Sequence, residues 1–309
     1  MKIKLKSMNL TAKQLSAIPE EIFAETDLEE IWFDDNQLDA LPEDIVNCAQ
    51  LKRISLYKNR LEILPVVLFS LKQLERLNLS ANHLTVVEND IGNLSNLQVL
   101  DVQHNKLTHL PDSLAKLSNL SFLYLAGNCL TLLPAMLHLP QLRYLNISQN
   151  QFSIFPECIT NFQHLIELRA YDNALSSVPP AIAQLKKLKE CHLMNNQIAE
   201  LPATIGHLRE LRILRLMNNR LQLLPENMGL LHNLSELDLR ANQLIALPET
   251  LGQLSSLRRL DLRDNQLTHL PTSLRRLNRL EKLDLRLNKN LLIPEWLTEL
   301  EQSGCTVFS

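Results

Sequence analysis

A pattern that returns every 23 residues constrains this chain more than any other feature. Leucines that open a unit stand at Leu5, Leu28, Leu51, Leu74, Leu97, Leu120, Leu142, Leu165, Leu188, Leu211, Leu234, Leu257 and Leu280, so thirteen units fit. Each reads LxxLxLxxNxLxxLPxxIxxLxx. A clean copy runs through Leu234, Leu237, Leu239, Asn242, Leu244, Leu247-Pro248, Leu251 and Leu254. Self-similarity at such a period means one small unit stacked on copies of itself. Length alone, at about 150 residues per domain, would suggest two globular domains. The repeat predicts a single domain over 1–309 with no linker, an N-terminal edge at 1–6 and a C-terminal cap at 295–309.

The unit has a physical reading. Its LxLxx stretch alternates with period two and predicts a short strand with leucines inward. At the ninth position the chain leaves the strand. An asparagine there can donate and accept, satisfying buried backbone groups between stacked units. Twelve units carry it: Asn36, Asn59, Asn82, Asn105, Asn128, Asn150, Asn173, Asn196, Asn219, Asn242, Asn265 and Asn288. The Leu-Pro step that follows predicts the first position of a short helical or 3₁₀ turn. Twelve of the 14 prolines occupy that step. No unit can bury its leucine face alone, so stacking must close the core.

These residues resemble the leucine-rich repeat family, in the 23-residue form of Ras-suppressor-like and many bacterial cytosolic proteins. The resemblance implies an α/β solenoid curved like a horseshoe. A parallel β-sheet lines its concave face and short helical or 3₁₀ turns its convex face. It also implies that the asparagines form a ladder along the solenoid. Three units depart from the pattern. The fourth has Val87-Glu88 for Leu-Pro, the sixth is one residue short between Leu133 and Pro140, and the last has Asn290 where leucine is usual. The end of the chain predicts a final helical turn and an edge strand, and apparent caps at both ends lead us to expect a complete protein.

Composition excludes several classes. The chain is 45% hydrophobic and 21% charged, which fits neither a disordered tail nor a membrane protein. No apolar stretch follows the basic start Met1–Lys6, so no signal peptide is expected. The net charge of −3 gives no general attraction to nucleic acid or an acidic membrane. Five isolated cysteines suit a reducing, cytoplasmic setting and no zinc spacing. There is no Gly-rich phosphate loop, GxSxG or HExxH. No catalytic residue, cofactor or metal is expected; His83 and His104, in adjacent units, read as surface residues. Cys191 replaces a core leucine and reads as inert.

Function should then lie where the repeat leaves residues free. Strand alternation puts the third, fifth and seventh positions on the concave face. All four tyrosines fall there. Aromatic residues, Met and Arg are what protein interfaces enrich. The candidate partner-binding set is Val99, Phe122, Tyr124, Tyr144, Arg169, Tyr171, His192, Met194, Ile213, Arg215 and Met217. The rows Asp238/Asp261/Asp284 and Arg215/Arg240/Arg263/Arg286 read as a self-satisfied charge ladder. The expected protein is a non-enzymatic interaction scaffold with a protein partner, possible roles in intracellular signalling, and no nucleic-acid or membrane partner. The alternative is a regulatory or sensor subunit of a kinase, GTPase or ubiquitin ligase, acting in trans or on a longer chain. A monomer is expected. Eleven acidic residues from Glu20 to Asp44, against nine basic ones from Arg258 to Lys289, motivate head-to-tail self-association as a third reading.

Overall fold

The computed structural model describes residues 6–309. Of the N-terminal edge expected at 1–6, all but Lys6 lies outside the described residues. The chain groups into two compact units, Met1–Gln151 and Phe152–Ser309. The first holds β1 (Ser7–Asn9), β2 (Glu30–Trp32), β3 (Arg53–Ser55), β4 (Arg76–Asn78), β5 (Val99–Asp101), β6 (Phe122–Tyr124) and β7 (Tyr144–Asn146). The second holds β8 (Glu167–Arg169), β9 (Glu190–His192), β10 (Ile213–Arg215), β11 (Glu236–Asp238), β12 (Arg259–Asp261), β13 (Lys282–Asp284) and β14 (Thr306–Phe308).

Within each unit the strands are parallel and follow sequence order. Equivalent repeat positions face each other, so Arg53, Arg76 and Val99 share one rung and Ile54, Leu77 and Leu100 the next. The middle residue of each strand points inward, which leaves Ile54, Leu77 and Leu100 buried. Burying a Leu or Ile side chain is worth roughly 1.5–3 kcal/mol, and every repeat adds several. Each unit is therefore an open solenoid held by stacked aliphatic layers.

Past the strand the backbone turns through the left-handed region. Ala81 (φ 55°), Asn218 (φ 56°) and Ala241 (φ 53°) take it one residue before the repeat asparagine. The turn aims the asparagine inward. Asn82 Nδ2 donates to Leu56 O at 2.9 Å and Leu79 O at 3.0 Å, and its Oδ1 accepts from Leu61 N at 3.0 Å. One side chain thus joins two successive repeats. The same three contacts recur at Asn105 in the first unit and at Asn219, Asn242 and Asn265 in the second.

The face opposite the strands carries eleven five-residue 3₁₀ segments among the described residues. The proline does not occupy their first helical position, as its sequence context suggests. It sits one residue earlier in extended backbone, as at Pro65 (φ −67°, ψ 136°), and its carbonyl accepts the first turn's bond from Leu68 N at 3.0 Å. The fixed φ fits both roles, and the missing N–H is unneeded in either. Glu88 adopts the same conformation without a proline ring (φ −66°, ψ 152°). Stacking therefore imposes this geometry, and proline only pre-forms it. The shortened sixth repeat has turns between β6 and β7 where its neighbours have 3₁₀ structure, leaving Met136 85% exposed. At the end of the second unit, α1 (Leu297–Gln302) and β14 bury Leu297, Leu300 and Cys305, and β14 pairs with β13. No helix among the described residues is long and apolar enough to cross a membrane.

Candidate partner-binding face

The strands aim their first and third residues away from the core. Ten of the eleven residues expected at a partner surface are half-buried or exposed there. His192 is the exception, at 5% exposure, because the side chains beside it close over the ring.

In the first unit the aromatic residues form one cluster. Phe122 on β6 and Tyr144 on β7 are register partners with ring centroids 6.4 Å apart. Tyr124 and Tyr144 lie closer, at 4.8 Å with a 37° tilt. Such geometry adds about 0.5–1.5 kcal/mol beyond burial. Phe122 nevertheless keeps 37% of its surface exposed. Val99 stands across from Phe122 on β5. Beside this cluster a hollow of about 400 Å³ opens over β2 to β6, lined among others by Trp32, Arg53, Arg76, Asp101 and Tyr124. Arg53 stacks on Trp32 at 6.0 Å and reaches Glu30 at 3.4 Å. Burial pushes the Asp101 carboxyl above its ordinary range, against hydrogen bonds from Gln103. The sequence-derived set omits Trp32, Arg53 and Arg76. Their positions are legible from the repeat, but their shared hollow depends on side-chain orientation.

In the second unit the same face is ionic. Arg169 donates to Glu167 at 2.6 Å, and Arg215 pairs with Glu236 at 2.9 Å. His192 Nε2 lies 3.3 Å from Glu190 and 4.0 Å from Glu167. Burial pushes its imidazole below the ordinary histidine range, outweighing the Glu190 hydrogen bond that raises it. Tyr171, Met194, Ile213 and Met217 are half-buried around this network, and Arg240 contacts the Met217 sulfur.

The three register-aligned aspartates are only partly paired as their columns suggest. Arg263 bonds Asp261 at 2.5 Å and reaches Asp284 at 3.4 Å, and Arg286 bonds Asp284 at 2.7 Å. Asp238 instead accepts from the Arg240 backbone N–H, and burial raises its carboxyl. For Asp284 burial alone would also raise the carboxyl. The Arg286 hydrogen bond and the Arg263 charge outweigh it and hold the group below the carboxylate range. A lowered native pKa gives stability that is present above the unfolded value and lost as pH falls through the native one. The double variant Arg263→Met/Arg286→Met should invert this. Among the described residues Asp284 would keep Lys282, at 4.0 Å, as its one cation within ion-pair distance. Its carboxyl should then titrate above the ordinary range, and stability lost at neutral pH should partly return on acidification. NMR titration of the Asp284 carboxyl and unfolding at several pH values check both. An unchanged titration would refute the coupling.

The cysteines of this region are buried. Desolvation pushes the Cys191 thiol up to about 12 and Cys158 to about 11, leaving both weakly acidic.

The fold and its repeating asparagines define a family. The profile described as Leucine rich repeat matches residues 26–84, 72–130, 95–152 and 232–289, more than half of the chain. The chain belongs to the leucine-rich repeat family. Among solved structures it is similar to a leucine-rich repeat protein of Leptospira interrogans, at 30% identity and TM-score 0.63, over 99% of this chain and 96% of that one. It is similar to the plant peptide hormone receptor RGFR1, solved in complex with RGF2, at 30% identity and TM-score 0.74, over 92% of this chain and 54% of that one. The ectodomain of the membrane receptor kinase GASSHO1/SCHENGEN3 from Arabidopsis thaliana, in complex with CASPARIAN STRIP INTEGRITY FACTOR 2, shares 27% identity at TM-score 0.78, over 99% of this chain and 44% of that one. The chain spans about half the length of these two plant receptors. No curated protein sequence matches it.

Proposed function

We propose that this protein is a non-enzymatic interaction module that holds a protein or peptide partner on its strand face. The observation that carries the reading is the Phe122–Tyr144–Tyr124 ring cluster, half-exposed on the strand face. Rigid aromatic rings give large contact area at low entropy cost, which is why they anchor interfaces. The two plant receptors solved with their ligands support a peptide or protein as the class of partner. Tyr171, Met194, Ile213, Arg215 and Met217 form the corresponding set on the second unit. The same proposal takes the thirteen repeats over 1–309 as one domain, working as a monomer in the cytoplasm. The unpaired cysteines support that compartment.

The test is affinity capture by the intact chain, with bound proteins identified and their affinities then measured. Tyr144→Glu should weaken the captured partner by 2 kcal/mol or more, roughly 30-fold, as truncation of an anchor does. Tyr171→Glu tests the second unit separately. Arg258→Glu, an exposed residue just outside β12, is the control and should bind normally. Full capture by both tyrosine variants would remove this face as the site.

A further inference from the structure

Glu167 on β8 and Glu190 on β9 are direct register partners. Two like charges in that position repel and destabilise the pairing. A buried ring closes the gap between them: His192, two residues along β9, brings Nε2 to 3.3 Å from Glu190 Oε2 and 4.0 Å from Glu167 Oε1. One ligand atom from each residue lies within 4.8 Å of the other two.

These separations suit a small cation. Zinc bonds of about 2.0–2.1 Å at tetrahedral angles put neighbouring ligand atoms roughly 3.4 Å apart. The His192–Glu190 pair already stands at that separation. The Glu167 oxygen, 4.0 Å from the ring nitrogen and within 4.8 Å of both other ligand atoms, has up to about 1.4 Å to close on the same geometry, within reach of a carboxylate side-chain rotation. The His192 side chain is only 6% exposed, whereas those of Glu167 and Glu190 keep 21% and 38%. The imidazole is thus held in place while the carboxylates stay accessible to an entering ion. Arg169, bonded to Glu167 at 2.6 Å, orients that carboxylate and supplies one positive charge against two negative ones. Arg215, across from His192 on β10, is engaged by Glu236. The local balance therefore still favours a cation.

We propose that Glu167, Glu190 and His192 form a binding site for zinc or a similar divalent transition metal, with a fourth coordination position left for water. An imidazole with two carboxylates selects this class over calcium and magnesium, which take oxygen ligands alone. The metal would convert the repulsive Glu167–Glu190 pair into a bridge between β8 and β9. The site does not depend on the partner reading, because its test needs no partner.

The intact chain, freed of metal with a chelator, is titrated with Zn²⁺ by calorimetry and with Co²⁺ by visible absorption. One zinc per chain should bind, and Co²⁺ should give the intense bands of a four-coordinate site. Glu190→Gln and His192→Gln should each weaken zinc at least about tenfold, since even outer-shell changes at metal sites cost 10–100-fold. Zinc should raise the unfolding temperature of the wild type but not of the variants. Glu190 is the more exposed ligand, so its variant should fold and decide the matter even if His192→Gln does not. Absence of zinc binding, an unaltered zinc affinity in Glu190→Gln, or displacement of zinc by millimolar Ca²⁺ would each overturn the site.

Discussion

Replacing Asn219 by Leu should cost this protein roughly 3–5 kcal/mol, because each polar group orphaned in the interior costs about 1–3 kcal/mol. Asn219 is 6% exposed. Its Nδ2 donates to Leu193 O at 2.9 Å and Leu216 O at 3.0 Å, and its Oδ1 accepts from Ile198 N at 3.0 Å. Leucine would fill the volume but leave two carbonyls and one N–H without their partner, and water reaches this layer poorly. Nearest-neighbour interfaces carry the stability of a repeat array, so the damage should be local as well as global. The amide of Ile198 should lose hydrogen-exchange protection well beyond amides several repeats away. Asn233→Leu is the control. Asn233 also donates between repeats, to Arg209 O at 2.8 Å, but on the exposed surface where water replaces the bond. Equal losses from the two variants would show that the buried ladder adds nothing special.

The second large effect is steric. Gly206→Ala places a Cβ 2.1 Å from the Asn227 carbonyl oxygen, so neighbouring 3₁₀ segments must move apart. Overpacking of this kind typically costs about 1–3 kcal/mol, and here the obstacle is backbone with no rotamer to yield. Gly252 faces Ser273 in the same way, its added Cβ lying 2.3 Å from the carbonyl. Gly304→Ala separates contact from conformation. Its φ of +99° disfavours a side chain, yet no atom lies within 4 Å of the added Cβ. Denaturant unfolding of both variants should show Gly206→Ala losing stability by crowding, and a comparable loss on adding Ala at position 229 should follow, since Thr250 O lies 2.6 Å away. If Gly206→Ala were neutral, the close stacking of the 3₁₀ faces would carry no constraint.

Both effects arise from features that repeat, and features that repeat are readable in sequence. Asn219 is marked by its place nine residues into a unit. Gly206 is marked by recurring at one position with Gly92, Gly229 and Gly252. The outward positions of each strand follow from the same count, and Tyr124 and Tyr144 lie on the strand face that this count predicts. Site chemistry was less legible. His192 shares the outward alternation of Met194 yet is buried, with its ring drawn against Glu167 and Glu190. Trp32, Arg53 and Arg76 frame a hollow that alternation alone cannot distinguish from flat surface.

The period of 23 determined the unit, its strand, its inward leucines and its asparagine, because each depends on spacing within one short segment and on the need to bury apolar faces. Which side chains meet across rungs was decided by the tertiary structure. Parallel pairing in register puts Glu167 beside Glu190, Phe122 beside Tyr144 and Asp261 beside Asp284, and side-chain rotation then decides whether such neighbours stack, pair or repel. Those residues are 22 or 23 positions apart in the chain, too far for local propensity to couple them, and only stacked strands at about 4.8 Å spacing bring them into contact.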